Sequence, residues 1–125
     1  MLGTTEAIAT VPVKDIDAAR RFYERTLGLQ PTGEEDSDAL TFKAGKSELL
    51  VYKSEYAGTN EATAVTWAVG DDLEAIVKTL KERGVTFERY DLPGTTLEGD
   101  IHIAGNLKVA WFKDPDGNIH SLANQ

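Results

Sequence analysis

The strongest constraint on the fold is that the chain states its pattern twice. ATVPV at 9–13 is matched by VTWAV at 65–69, DIDA at 15–18 by DLEA at 72–75, and Leu27-Gly28-Leu29 by Arg83-Gly84-Val85, so the separation stays at 56 or 57 residues. One extra residue at Gly70-Asp71 and a second helix one residue shorter than the first reconcile the two offsets. The matching order of the elements makes chance the poorer explanation of the repeat.

Each half reads as a strand, a helix and three further strands. AIATVPV (7–13) alternates as a strand, and Asp15 caps a helix in which Ile16, Ala19, Tyr23 and Leu27 recur at helical spacing, with Phe22 widening the stripe. Gly28 ends it. Strands follow at 29–32, 39–44 and 47–53, with the acidic turn GEEDSD (33–38) and a turn at Gly45-Lys46 between them. The polar stretch 54–62 has linker composition. In the second half Leu73, Ile76, Val77 and Leu80 form the helix stripe, and strands are expected near 85–90, 107–113 and 118–123. The segment 91–105 is a longer excursion.

Composition removes several functions. A net charge of −8 repels phosphate backbones and anionic membrane surfaces, so no nucleic-acid or membrane partner is expected. With no cysteine there is neither a disulfide framework nor a thiolate nucleophile or ligand. Chemistry must come from histidine, carboxylates and hydroxyls. No run approaches the ~20 apolar residues of a membrane span, and the first residues lack the basic start and apolar core of a signal peptide. The cytoplasm is the default compartment.

DPDGN (114–118) reads first as a turn: Pro and Gly suit a type I geometry, and Asp114 can accept from the turn's own amides. Two registers remain open after it. A plain four-residue loop puts Phe112 and Ala110 on the face of Ser121, whereas a bulge at Gly117 puts Trp111 and Val109 there.

VPVKDIDAARRFYERTLGL (11–29) resembles the first-repeat signature of the vicinal oxygen chelate superfamily, and VAWFKDPDGNIHSL (109–122) resembles the hairpin that closes its second repeat. The superfamily includes glyoxalase I, extradiol dioxygenases, and bleomycin- and fosfomycin-resistance proteins. The resemblance spans about 8–123 and implies an α+β fold: two βαβββ modules forming an open, cup-shaped, barrel-like mixed sheet, helices outside and a ligand site inside. It implies a single domain over 1–125, with repeat one at about 6–54, a linker at 55–62 and repeat two at about 63–124. It also implies a homodimer.

In metal-dependent members the ligands come from the first and last strand of each repeat. Carried onto this chain, those positions are Ile8, Leu49, Ala64 (or Val65, if the helix motifs are aligned instead) and Ser121. A divalent ion bound by imidazole and carboxylate needs about three or four such donors. None of these side chains is one, so neither a divalent-metal cofactor nor glyoxalase I activity is expected. Glu48 and His120 are the nearest donors, but each is one residue from its reference position, and alternation turns them to the opposite face.

The cup expected from these alignments is lined by Ile8, Thr10, Leu49, Ala64, Thr66, His102, Trp111, Phe112 and Ser121, with one aromatic of the 111–112 pair facing inward in either register. Such a lining, apolar with a few hydroxyls, suits a small organic molecule. His102, in GDIHIAG (99–105), is the one catalytic candidate, because histidine serves as ligand contact or acid-base group near neutral pH. His120 is read as structural. Three functions follow: a metal-free small-molecule binder, the preferred reading; an enzyme of lyase, isomerase or dioxygenase type, with metal ligands relocated to Glu48, His102 and His120 or with His102 as acid-base catalyst; and a binder that sequesters a cationic drug. The last would draw on the acidic loops 33–38 and 98–100.

Overall fold

The computed structural model describes residues 2–33 and 38–125. Most of the acidic turn expected at 33–38 therefore lies outside the described residues. The chain divides into two compact units, Met1–Thr59 and Asn60–Gln125. As the resemblance implies, the class is α+β, with ten strands in two mixed sheets and two α-helices among the described residues. No helix among them is long and apolar enough to cross a membrane.

In the first unit β1 (Ala9–Val13) leads into α1 (Ile16–Arg20), then β2 (Gln30–Thr32), β3 (Ala39–Ala44) and β4 (Ser47–Lys53). The sheet order is β1-β4-β3-β2, with β1 parallel to β4 and the other pairs antiparallel. The α1 start is the expected one: an Asp15 carboxylate oxygen accepts from the amides of Asp17 at 3.0 Å and Ala18 at 3.1 Å, a cap worth ~1 kcal/mol. The expected single α-helix to Leu27 is not what forms. Residues Arg21–Thr26 are π-helical, with the Leu27 amide bonded to the Phe22 carbonyl at 2.9 Å. From Asp15 to Gly28 this helix is one residue longer than its counterpart from Asp72 to Gly84, and a wider i→i+5 turn accommodates one inserted residue. Ile16, Ala19 and Tyr23 thereby stay on the buried side, where Tyr23 meets Phe42 at a ring separation of 5.9 Å. Val11, Val13, Leu40, Leu49 and Val51 complete this core.

In the second unit β5 (Thr63–Ala68) precedes α2 (Leu73–Glu82), followed by β6 (Phe87–Glu88), β7 (Thr96–Glu98), β8 (Ile101–Ala104), β9 (Leu107–Lys113) and β10 (Ile119–Ala123). The order β5-β10-β9-β8-β7 again sets the first strand parallel to the last. Two expectations need correction. The strand foreseen at 85–90 is reduced to Phe87–Glu88, and the excursion 91–105 contains the β7–β8 hairpin. Both facts have one cause: β6 and β8 share one edge of β9, with β6 opposite Trp111 and Phe112 and β8 opposite Leu107–Val109. The chain leaves that edge after two residues and returns to it further along. Asp100 fixes the return, since its buried carboxylate holds Lys81 of α2 at 2.7 Å and Arg89 at 3.0 Å.

Candidate functional site

The turn at 114–118 decides which side chains share a face. The Asp114 amide bonds to the Asn118 carbonyl at 2.9 Å, the Gly117 amide to the Asp114 carbonyl at 3.0 Å, and Gly117 has φ 93. This is a three-residue loop closed by a left-handed glycine, the geometry of a type I turn with a bulge. The Asp114 carboxylate, itself buried, accepts from the amides of Asp116 and Asn118 and from the Asn118 side chain, so it is consumed by the turn. Trp111 then lies opposite Ser121, and Phe112 opposite His120. Of the two open registers the bulged one forms. Phe112 consequently does not share a face with Ser121, as one register required; it packs edge-on against Phe87 at 5.7 Å on the other side of the sheet.

The face of Ser121 gathers a group of polar and aromatic side chains within the second unit. Ser121 pairs with Thr66 across β10–β5, and their hydroxyls are 2.7 Å apart. Trp111 donates its indole N–H to the Thr63 hydroxyl at 3.3 Å. Through the pairing of His102 with Val109, itself opposite Ala123, His102 lies on this face too. Its ring is 4.8 Å from Trp111 at 79°, and Tyr90 closes the cluster at 5.9 Å from His102 and 5.3 Å from Trp111.

His102 is 2% exposed. The Tyr90 amide donates to its Nε2 at 2.9 Å, which requires a lone pair there and puts the proton of a neutral imidazole on Nδ1. Nδ1 is buried without a hydrogen-bond partner. A buried polar atom of this kind is uncommon and calls for a reason.

His120 occupies the opposite face, as alternation foresees. It is fully buried, stacked on Phe112 at 4.9 Å and 12°, and its Nδ1 accepts the Trp67 indole N–H at 3.0 Å. Burial pushes its pKa down to about 4, with the Asp114 charge opposing the shift. Such a histidine is neutral at pH 7 and packs as an aromatic.

In the first unit the register alters one assignment. Thr10 lies opposite Leu50, whereas Leu49 lies opposite Ala9 and Phe42. Leu49 is 2% exposed and belongs to the core with Val11 and Val51, so it does not face the side of Thr10. The position equivalent to Ser121 is Leu50, because Thr10 and Thr66 are equivalent across the repeat and Ser121 is opposite Thr66. The parity argument against Glu48 falls with this, since Glu48 and Leu50 alternate onto one face. Ile8 precedes β1 and is 51% exposed, the Thr10 hydroxyl donates to the Ile8 carbonyl, and Ala64 and Thr66 are exposed.

A family model described as the Glyoxalase/Bleomycin resistance protein/Dioxygenase superfamily matches residues 6–121. The chain belongs to this superfamily. Among solved structures, a glyoxalase family protein from Enterococcus faecalis is similar at TM-score 0.74 and 20% identity, over 98% of this chain and 99% of that one. A lactoylglutathione lyase from Agrobacterium tumefaciens reaches 0.70 at 16% identity, over 96% and 92%. A fosfomycin resistance protein from Mesorhizobium loti reaches 0.70 at 13% identity, over 100% and 94%. At these identities the likeness is one of fold. A sequence comparison with curated proteins finds no match.

The superfamily's divalent metal requires imidazole or carboxylate donors. Its ligand positions hold Ile8 and Leu50 in the first unit and Ala64 and Ser121 in the second. The only polar group among them, the Ser121 hydroxyl, is engaged with Thr66. No group of three or more His, Cys, Asp or Glu side chains suited to an ion occurs among the described residues. The residues do not fit a divalent metal at these positions. Sequence reasoning overlooked Tyr90 and Thr63, which reach the Trp111 face only through the β6–β8 detour and an irregularity in the β5–β10 pairing near Ile119. Neither has a local sequence signal.

Proposed function

We propose that this chain is a small-molecule-binding member of the superfamily that works without a divalent metal, using the face built from Thr66, Tyr90, His102, Trp111 and Ser121. The observation that carries the reading is the chemistry at the four ligand positions, where three aliphatic side chains and one engaged hydroxyl replace imidazole and carboxylate. Aromatic rings with a few directed polar groups are the usual lining of an organic-ligand site.

The alternatives have weaker support. Acid-base catalysis by His102 must contend with the Tyr90 amide, which occupies Nε2. Sequestration of a cationic compound loses one carboxylate of the 98–100 loop, because Asp100 is already neutralised by Lys81 and Arg89, the former chiefly holding its carboxyl below the usual range. Calorimetric titration of the purified protein with Zn²⁺, Ni²⁺, Mn²⁺ and Fe²⁺ should give no stoichiometric binding. A single site of micromolar affinity or better overturns the proposal.

A further inference from the structure

A cleft of about 290 Å³ opens beside the segment between β6 and β7, lined by Arg89, Tyr90, Asp91, Leu92, Thr95 and Leu97 and by none of the metal-ligand positions. LPGT (92–95) gives it a firm edge. Pro93 and Gly94, the latter at φ 76, make a tight turn in which the Thr95 amide and hydroxyl both donate to the Leu92 carbonyl, at 3.2 and 2.7 Å. Leu97 pairs with His102 across β7–β8 and so shares its face of the sheet. Tyr90 is held by its amide bond to His102 and by the Trp111 ring at 5.3 Å.

The lining joins apolar surface to one charge of each sign. Leu92 and Leu97 are 39% and 43% exposed, surface that a bound molecule would take out of water. Asp91 makes no hydrogen bond or ion pair among the described residues. Arg89 spends its Nε on Asp100, whose other carboxylate oxygen holds Lys81. One carboxylate thus faces two cations, so positive charge is left over, and the Arg89 Nη groups have no bond among the described residues. A guanidinium offering paired N–H donors matches a carboxylate. An anion alone would meet Asp91, and a cation alone would meet Arg89, whereas a zwitterion satisfies both. The volume lies at the lower end of the roughly 300–1,000 Å³ usual for ligand clefts, so the occupant is small.

We infer that this cleft binds a small zwitterion of the α-amino acid type with an apolar side chain: its carboxylate on Arg89, its ammonium on Asp91, and its side chain against Leu92, Leu97 and the Tyr90 ring. The inference goes beyond the metal-free reading and is independent of it, since no metal-ligand position lines the cleft.

The test titrates protein carrying ¹³C-labelled leucine methyls with four compounds: L-phenylalanine, N-acetyl-L-phenylalanine, which lacks the cation, L-phenylalaninamide, which lacks the anion, and glycine, which lacks the side chain. L-phenylalanine should shift the Leu92 and Leu97 methyls saturably. The acetyl and amide analogues should each bind about fivefold more weakly, the upper end for a partly exposed ion pair, and glycine should leave the methyls unmoved. Asp91→Asn, at an exposed position, should abolish the preference over N-acetyl-L-phenylalanine and keep the preference over the amide. Should this variant fail to fold, the wild-type affinities decide alone. Equal affinity for L-phenylalanine and either analogue overturns the inference, as do glycine binding as tightly as L-phenylalanine, an Asp91→Asn protein that keeps both preferences, or no saturable shift of these methyls. A tight metal site would overturn the preceding proposal instead, and it is read by an independent titration.

Discussion

Acidification should weaken the second unit through His120. Its pKa falls from 6.5 to about 4 on folding because the ring is buried between Trp67 and Phe112. Between those values the unfolded chain binds a proton that the folded chain refuses, so stability falls as pH falls. The contribution is intact above about pH 6.5, declines by ~1.4 kcal/mol per pH unit through the window, and is lost by about pH 4, in total roughly 3 kcal/mol. The control is His120→Asn, whose side-chain oxygen can take the place of Nδ1 as acceptor for the Trp67 indole but does not titrate. The variant loses ring stacking and is less stable at pH 7.5, yet its stability should depend less on pH. Urea unfolding at pH 7.5, 6.5, 5.5 and 4.5, followed by tryptophan fluorescence, reports on the right region, because both tryptophans of the chain, Trp67 and Trp111, lie in the second unit. The difference between wild type and variant should shrink steadily towards pH 4.5. A constant difference across the series would refute the argument that His120 is held neutral by burial.

Further predictions concern register and the hairpin. Leu49→Ala should cost ~2–5 kcal/mol in chemical denaturation, as a core cavity does, and Leu50→Ala clearly less; equal costs would contradict the register placing Leu49 in the core. Asp100→Asn should loosen the β7–β8 hairpin by weakening the hold on Lys81 and Arg89, seen as faster amide exchange over 96–104 with α2 little changed. Because the Asp100 pKa is lowered on folding, first by Lys81, its contribution is present above about pH 4 and is lost as pH falls through the folded value. The exchange rates of wild type and variant should therefore converge in acid, and rates that stay apart there would count against the ion pairs.

The correct parts of the sequence reading are those where local chemistry and strand alternation suffice. Asp15 had to cap a helix, Asp114 had to close a turn, and His120 had to face away from Ser121, because capping, turn geometry and two-residue periodicity act over a few residues. The errors lie where one residue of register depended on distant pairing. Whether Leu49 or Leu50 is level with Ser121 depends on the pairing of β4 with β1, and whether Phe112 joins the site depends on the register after the turn; strand pairing puts Leu49 and Phe112 on the buried face.

By itself, then, the sequence determined the repeat, the α+β class, the superfamily resemblance and the absence of imidazole or carboxylate at the positions aligned with its metal ligands. These are properties of residue identity and short-range order. Only the tertiary structure decided that β6 breaks off after Glu88 and β8 resumes along the same strand, which brings Tyr90 against His102 and Trp111. The bond from the Tyr90 amide to His102 Nε2 arises from that encounter, because whether a buried atom finds a partner depends on groups brought together from separate parts of the chain.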